Sequence, residues 1–312
     1  MKYPYWFFLI LTTLQPFKSW ALPAAARDLA LGGLSVASVS PETAAFLNPA
    51  VLGESKTLRT AFTQERFSAN DFSFQVSSAF PLIKDFLGMG LAWDDQAKRN
   101  QVLTGFVRDQ NGQYVVDPVS GLPQTQILGF FTQTQNIFYW SIAMKLDFCS
   151  FGVNLKYFLN DFGSLEGQGW GWDAAFHASI TGDLRVGATL NDVNDSHIDF
   201  HGSAPDQVSP SLGVASLAWD FWKPGDFVFD AEPAISKELL NGSPPEGGGG
   251  LEVAWRQNVF LRAGYNNQNR LSLGVGLVAH PEKIFKEVRV DYTYLTQTPD
   301  GYPSRLTLTV EW

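Results

Sequence analysis

The sequence has a single cysteine, Cys149, among its 312 residues. One cysteine excludes an internal disulfide and any zinc site built on cysteine ligands. Long apolar runs are also missing, because no segment after the N-terminal stretch holds the roughly 18 consecutive apolar residues of a membrane-spanning helix. Charge is scarce too: 17% of the residues are charged, against about 25% in typical soluble domains.

Positive charge is the scarcer of the two signs. The chain carries 22 Lys and Arg against 31 Asp and Glu, which gives a formal net charge of −9. Proteins that bind nucleic acid present a basic face, and no cluster of Lys or Arg interrupts the acidic balance here. Nucleic acid is therefore not an expected partner.

Glycine and aromatic residues are abundant instead. There are 28 Gly, 25 Phe and 10 Trp, and aromatic residues make up 14% of the chain. The mean hydropathy is −0.06, close to zero. Low charge, many aromatics and average hydropathy are together typical of a sheet that is apolar on one face and polar on the other.

The first 21 residues have the features of a secretory signal peptide. Lys2 gives a positive start, and residues 5–14, YWFFLILTTL, form an apolar stretch that is too short to cross a bilayer. Small residues then occupy the two positions that a signal peptidase reads in SWA, residues 19–21, and 24–26 offer a second cleavage point. An uncleaved anchor helix is the alternative, disfavoured by length. We therefore predict that 1–21 is a signal peptide and that the protein is exported.

From about residue 57 the sequence becomes a series of alternating runs separated by turn residues. Most runs are about nine to thirteen residues long, whereas strands of globular proteins centre on about five or six. A tilted strand needs roughly nine to eleven residues to cross a bilayer. The fourteen predicted strands are 57–67, 71–80, 86–94, 134–146, 149–160, 169–180, 183–193, 210–221, 226–236, 247–256, 258–266, 270–279, 287–297 and 303–312.

The connections between these strands differ in length according to parity. Every second connection is short, at 81–85, 147–149, 181–183, 221–226, 256–258 and 280–286. The alternate ones include the long segments 95–133, 160–168, 192–209 and 236–247, although 67–70, 266–269 and 298–302 are short as well. A barrel in the bacterial outer membrane has short turns on its periplasmic side and longer loops outside. The pattern predicts an all-β, transmembrane antiparallel barrel of about fourteen strands over 57–312.

The last eight residues, RLTLTVEW, alternate between apolar and polar side chains. A closed barrel must pair its last strand with its first, because an open edge in lipid leaves backbone groups unsatisfied. We expect Trp312 to lie in the aromatic girdle at the membrane–water interface. The aromatic end is also the expected signal for the barrel-assembly machinery, so that machinery and outer-membrane lipid are predicted partners.

Residues 22–56 differ from the rest because they are rich in small residues and lack long alternation. We expect them to form an ordered plug inside or beneath the barrel. Gly32 and Gly33 permit a close backbone approach, and Asn48 before Pro49 is biased out of helix and into a turn. Together with Ala50, these residues form the predicted plug motif.

This segment, ALGGLSVASVSPETAAFLNPAVL at 30–52, resembles the N-terminal signature of the PorV/PorQ family of outer-membrane proteins. That family lies within the FadL-like group of fatty-acid-transporter barrels. Further similarity follows in FGVNLKYFLND (151–161), LRVGATLNDVNDSHIDF (184–200), FLRAGY (260–265), SLGVGL (272–277) and VDYTY (290–294). The chain departs from the family where SPE, 40–42, replaces an acidic pair and where Val51 replaces a glycine.

The resemblance implies a fourteen-strand barrel with its N-terminal segment in the lumen, but it does not imply one function. The first hypothesis is a non-enzymatic accessory in protein secretion or surface attachment of the type nine kind, with secreted cargo proteins as partners of the loops 95–133 and 192–209. The alternative is a FadL-like passive channel for hydrophobic small molecules. No motif in the sequence indicates a cofactor.

Candidate chemical sites are few. The run NDVNDSHIDFH, 191–201, gathers Asp192, Asp195, His197, Asp199 and His201, but it lacks the spacing of a known metal loop, so we interpret it as a polar surface loop. The run SPPEGGGG, 243–250, is interpreted as an exposed loop, because it lacks the Lys-Ser/Thr of a phosphate-binding loop. No G-x-S-x-G motif accompanies His177, so no catalytic site is predicted.

Charged residues in the middle of strands are the predicted lumen surface. A cation facing lipid at the membrane midplane costs about 2–4 kcal/mol, so these side chains are expected to point inward. They would contact a cargo or solute, or else pair with one another and with the plug. The candidates are Lys145, Lys156, Arg185, Glu252, Arg256, Arg262, Arg289, Asp291 and Glu311.

Overall fold

The structure is a computed structural model that describes residues 24–66, 71–107, 113, 115–117, 124–163, 165–200, 207–240, 242–266, 270–281, 284–296 and 303–312. The predicted signal peptide, 1–21, lies outside the described residues, as does His201. Two short helices, α1 (Ala26–Ala30) and α2 (Ala44–Leu47), and two 3-10 turns, Pro41–Thr43 and Pro49–Glu54, precede the strands.

The strands follow in chain order. They are β1 (Arg59–Arg66), β2 (Phe72–Ile83), β3 (Leu87–Phe106), β4 (Thr125–Leu146), β5 (Cys149–Asp161), β6 (Glu166–Ser179), β7 (Leu184–Asn191), β8 (Ser196–Phe200), β9 (Gln207–Ser209), β10 (Leu212–Trp222), β11 (Phe227–Glu238), β12 (Glu246–Trp255), β13 (Val259–Asn266), β14 (Arg270–Ala279), β15 (Glu287–Leu295) and β16 (Ser304–Glu311). None of the helices in these ranges is long and apolar enough to cross a bilayer.

Fourteen of the described strands close into an antiparallel barrel. Each of β1 to β7 pairs with its neighbour, β7 pairs with β10, and β10 to β16 continue the ring. The ring closes because β16 pairs with β1, from Glu311 opposite Arg59 to Ser304 opposite Arg66. The predicted barrel of about fourteen strands is therefore confirmed.

The barrel wall is apolar on its outer face and polar on its inner face, which is the reverse of a soluble protein. Large apolar side chains lie on the outside, where Leu155 and Trp140 are 46% and 41% exposed. Polar side chains fill the inside, where Lys156 and Asp94 are 5% and 0% exposed. Such an apolar outer surface is stable only where the surroundings are themselves apolar. The two-residue period of the sequence predicts this division into an apolar and a polar face.

Two parts of the predicted loops are strands instead. The segment 95–133 was expected as a long loop, but β3 and β4 stay paired up to Phe106 opposite Thr125. Register shifts interrupt this pairing between Lys98 and Gln101 and between Leu103 and Thr104, which breaks the alternation that marks a strand in the sequence. The hairpin projects beyond the barrel rim, because β5 pairs with β4 only as far as residue 134.

The predicted loop 192–209 contains β8 and β9. They form a hairpin, and β8 pairs with Gly167–Trp170 of β6, beyond the point where β7 leaves that strand. Both strands are short, at five and three residues, so they carry too little alternation to be recognised in the sequence.

The N-terminal segment lies in the lumen. Helix α1 is entirely buried, and residues of α2 join a buried apolar cluster with inward side chains of β4 and β5 such as Ile137, Tyr139 and Phe158. The chain then enters the barrel wall at β1. The plug predicted for the lumen is therefore present.

The barrel lumen and its plug

The first part of the plug is tied to the last strands of the barrel. The backbone N–H of Ala26 donates to Thr307 Oγ1 at 2.9 Å, and the hydroxyl of Thr293 donates to the Ala26 carbonyl. Ser272 donates to the carbonyl of Ala30 at 3.0 Å. Because wall hydroxyls satisfy backbone groups of so short a helix, its ends are not left as buried, unpaired donors and acceptors.

A network of ion pairs joins α1 to the wall. Arg27 Nε lies 3.3 Å from Glu252 Oε2, and Glu252 also accepts from Arg262. Arg262 Nη1 lies 2.7 Å from Asp291 Oδ1, and Arg289 Nε lies 2.8 Å from Asp291 Oδ2. All five side chains are nearly excluded from solvent, so removal of one member would leave buried charge uncompensated.

Beside this network, Asp28 is a buried carboxylate with few partners. Thr43 Oγ1 donates to its Oδ2 at 3.2 Å, and Arg27 Nη1 lies 3.8 Å from its Oδ1. Burial raises the pKa of Asp28 to about 6, against the opposing charge of Arg27.

The middle of the plug is held by one buried glutamate. Glu232 is 0% exposed, and its Oε1 accepts from the backbone N–H of Ala37 at 2.9 Å and from Ser216 Oγ at 2.6 Å. Its other oxygen accepts from the hydroxyl of Ser38. Backbone and hydroxyl donors thus solvate the carboxylate in place of water.

The predicted Asn-Pro-Ala motif forms the anchor of the second part of the plug. Asn48 is 0% exposed and has extended φ and ψ angles of −148° and 89°, outside the helical region. Its Oδ1 accepts from the N–H of Ala50 at 3.1 Å, while its Nδ2 donates to the carbonyls of Val36 and Phe176 at 2.7 and 3.1 Å. One amide therefore caps the turn at Pro49, crosses the plug and reaches β6.

Glycines of the wall allow the plug backbone to approach. A Cβ at Gly152 would lie 2.4 Å from the backbone N of Ala50, and one at Gly187 would lie 2.2 Å from the carbonyl O of Val36. Within the plug, Gly32 has a φ of +94° and a Cβ there would lie 2.8 Å from the Tyr265 carbonyl O. At these positions only glycine fits without displacement of one backbone.

The other predicted lumen charges lie in separate ion pairs. Lys156, at 5% exposed, contacts Asp173 at 2.7 Å and also Asp192. Arg185 lies 3.1 Å from Asp220 and 3.2 Å from Asp230. Both sets of ion pairs join residues of the barrel wall to one another and do not include a residue of the plug.

The structure places the remaining three predicted charges near the short turns. Glu311 accepts from Arg59, next to the plug's Glu42, and Lys145 is half-buried on the inner face of β4. Arg256 differs from expectation: it lies in the turn after β12 with a positive φ of 50°, and its exposed guanidinium pairs with Asp226. The alternation had been extended one residue too far, because Trp255 is the last residue of the strand.

Two further sequence interpretations can be compared with the structure. Trp312 follows β16, is 42% exposed, and its ring centroid lies 5.8 Å from that of Phe285. In the polar run 191–201, Asp192 accepts from Ser196 and Ser209 at 2.7 and 2.9 Å. Within the described ranges, no group of three or more His, Cys, Asp and Glu is arranged to hold a metal ion.

Sequence reasoning did not identify the glycines of the wall or the anchor at Glu232. The run GGGG, 247–250, falls in both the predicted strand 247–256 and the predicted exposed loop 243–250; the strand prediction is the correct one, since the run lies within β12. A Cβ at Gly250 would meet Leu31 at 2.6 Å. Glycine at alternate positions of a strand is the signal that could have found these contacts, since it marks close backbone approach.

Comparisons with known proteins show the fold. No protein-family model matches the chain, and no curated protein matches it either. Solved structures do: the toluene transporter TodX of P. putida, 11% identical with a TM-score of 0.58, matches over 93% of this chain and 97% of its own.

Two further transporters give the same result. The toluene transporter TbuX of Ralstonia pickettii is 12% identical with a TM-score of 0.56, over 93% of this chain and 98% of its own. A FadL homologue of Pseudomonas aeruginosa is 11% identical with a TM-score of 0.54, over the same shares. These matches cover more of the chain than 57–312 can supply, so they include part of the N-terminal segment. The chain therefore has the barrel fold of these FadL-type transporters.

Proposed function

We propose that this protein is an outer-membrane channel for hydrophobic small molecules, the second of the two functions considered from the sequence. The observation that carries the proposal is the plugged lumen. Buried ion pairs, a buried glutamate and close backbone contacts fill the barrel interior, whereas the general porins keep a water-filled channel. A barrel whose lumen is filled by a plug favours transport of a hydrophobic solute, which does not need a water-filled channel.

The fold comparisons support the same class of solute. TodX and TbuX, which match this chain over nearly their whole length, are described as toluene transporters. At 11 and 12% identity they share the architecture and not the contacts with a solute, so the proposal extends to the class of hydrophobic small molecules and not to toluene itself.

The outer membrane is the proposed location because the exposed face of the barrel is apolar. Trp219, Trp222 and Trp255 lie near the short turns and are 52%, 57% and 43% exposed. Such aromatic side chains are stable where acyl chains meet head groups. Heat-modifiable migration on gels and recovery in the outer-membrane fraction are the expected results, and a soluble periplasmic protein would contradict this location.

Uptake measurements test the channel. Cells that produce the protein are expected to take up a labelled monoaromatic hydrocarbon faster than cells with the empty vector, while uptake of sucrose stays at the background rate. The variant Gly152→Val, which must displace the plug from the wall, is expected to change hydrocarbon uptake, and Gly213→Val serves as its control. Equal hydrocarbon uptake with and without the protein would overturn the proposal.

The projecting hairpin supports a second candidate function, an accessory in protein secretion or attachment of the PorV/PorQ kind. Above the rim, Ile127, Leu128 and Phe130 are 63%, 44% and 66% exposed. They are separated from the apolar belt of the barrel by the polar residues Thr134 and Asn136 of the same strand. An apolar surface beyond the membrane belt favours contact with another protein.

Co-purification distinguishes this candidate from the channel. If the protein assists secretion, exported proteins that share a C-terminal domain are expected to co-purify with it from outer membranes. The triple variant Ile127→Ser, Leu128→Ser and Phe130→Ser is expected to lose them. Their absence from the wild-type preparation would count against the accessory function and would leave hydrocarbon uptake as the test of the channel.

A further inference from the structure

A buried histidine joins two separate parts of the plug to the barrel wall. His177 lies on the inner face of β6 and is 2% exposed. Its Nδ1 lies 3.1 Å from Oε1 of Glu54, at the end of the plug, and its Nε2 lies 3.0 Å from the carbonyl O of Ala37, in the middle. His177 thus bridges plug positions that are seventeen residues apart in sequence.

Both partners of this ring are hydrogen-bond acceptors. A carbonyl oxygen cannot donate, and an ionised carboxylate accepts only. Burial acts to raise the pKa of Glu54, but the hydrogen bond and charge of His177, together with the charges of Lys145 and Arg185, hold it below its ordinary value. Glu54 is therefore ionised and does not supply a proton to the contact.

The neutral imidazole cannot satisfy this arrangement. It carries one N–H, so one ring nitrogen would direct its lone pair at an acceptor about 3 Å away. The imidazolium form has two N–H groups and satisfies both partners. Two acceptors on one ring therefore specify the charged form from geometry alone.

The charged groups around His177 oppose one another. Glu54 of the plug favours a positive ring, whereas two cations of the neighbouring strands disfavour it. Lys145 of β4 lies opposite Ser150 of β5, and Ser150 lies opposite His177 of β6. Lys145 and His177 are therefore in register across β5. On the other side, Arg185 of β7 lies two positions from Gly187, the cross-strand partner of His177.

We propose that His177 is a proton-dependent fastener of the plug: the seated plug requires the imidazolium form, and loss of that proton loosens residues 36–54 from β6. The sign follows from linkage, because the state that binds more protons is weakened as the pH rises. Seating is strongest below the range in which imidazoles titrate and weakens as the pH rises through it. This property concerns the plug itself and does not depend on which solute the barrel passes.

Hydrogen exchange of the full-length protein in lipid bilayers tests the fastener. Amide protection of residues 36–54 is compared at about pH 5.5 and about pH 8.5, on either side of the imidazole range, after correction for intrinsic exchange rates. The hydrogen bond from a charged ring is lost at the higher pH, so protection is expected to fall there by about tenfold or more.

Three variants make the test specific. His177→Gln cannot become charged, so its protection is expected to be the same at both pH values. In Glu54→Gln the new amide can donate to a neutral ring, so the plug stays protected and the pH response is lost. His280→Gln alters a histidine that is 54% exposed on its side chain and 3.9 Å from Glu287, and it is expected to respond to pH as the wild type does.

A spectroscopic measurement gives an independent readout. With ¹⁵N-labelled histidine, a resonance with both ring nitrogens protonated is expected from the seated plug at about pH 5.5, and it is absent in His177→Gln. If that variant fails to fold, Glu54→Gln and the wild-type spectrum still decide. Unchanged wild-type protection between the two pH values, or a wild-type pH response in Glu54→Gln, would overturn the proposal.

Discussion

The two halves of the plug are held by different chemistry. Residues 24–38 are bound by charged side chains, the Arg27–Glu252 pair and the Glu232 carboxylate. Residues 44–53 are bound mainly by the neutral amide of Asn48 and by backbone contact at Gly152, and the charged contact of Glu54 with His177 follows at their end. Charged anchors respond to pH and to loss of a partner charge, whereas neutral anchors respond to shape. The plug is thus joined to one wall in two ways that can be perturbed separately.

The largest expected effect comes from the ion network of the first half. Arg262→Met leaves Glu252 and Asp291 with less compensation, and loss of one member of a buried pair costs about 3–5 kcal/mol. The free energy of unfolding, measured by urea titration in lipid, is expected to fall by about that amount. Arg256→Met, which removes an exposed pair with Asp226, is the matched control and is expected to cost less than about 1 kcal/mol. Equal effects would contradict the assigned network.

The next effect tests shape in the second half. Gly152→Ala places a Cβ within 2.4 Å of the backbone of Pro49 and Ala50, so the plug must move, at a cost of about 1–3 kcal/mol. Gly213→Ala is the control, since its nearest neighbour would be a side-chain atom at 3.6 Å. Stability is compared by thermal unfolding. The same shift in both variants would argue against close packing at Gly152.

The pH dependence of the free energy of unfolding tests the first half of the plug through Asp28. Because the pKa of Asp28 is about 6 in the folded protein and about 3.9 in an unfolded chain, the folded state binds the extra proton. The stabilisation from this bound proton is fully present below about pH 4 and is lost as the pH rises through about 6, by about 3 kcal/mol. We expect the free energy of unfolding of the wild type to fall across this pH window. In Asp28→Asn this contribution to the pH dependence is expected to be absent. A slope that persists in the variant would assign the effect to another group.

The smallest expected effect tests the neutral anchor. Asn48→Ala removes the amide that donates to the carbonyls of Val36 and Phe176, which costs about 1–2 kcal/mol. Since the amide carries no charge, the loss is expected to be equal at pH 5 and pH 8 when it is measured in the His177→Gln background, where the histidine contact does not titrate. Urea unfolding at both values measures it, and a loss confined to one pH would show that the anchor is coupled to a titrating group.

The barrel could be predicted from the sequence because each strand has to match surroundings that are apolar outside and polar inside. This requirement repeats every two residues and is therefore visible in the sequence. The predicted strands 149–160 and 287–297 agree with β5 and β15 to within two residues at each end. The same rule failed at β3 and β4, where register shifts break the period.

The contacts of the lumen could not be predicted in the same way. Arg27 and Glu252 are 225 residues apart, and nothing in the local pattern of either residue indicates its partner. The sequence could place charged side chains inside, but not decide which of them meet. The glycines at 152 and 187 carried a readable signal, since a strand interior rarely favours glycine unless another backbone lies against it.

The contact of Ala26 with Thr307 spans 281 residues. This contact of the plug can therefore form only after the final strands have taken their places, and contacts of such long range form slowly. Until then Arg27 lacks its partner Glu252, and Glu232 lacks the donors that Ala37 and Ser38 supply. Closure of the ring and filling of its interior are thus coupled steps of one assembly, in which a segment that precedes every strand in sequence is among the last to reach its position.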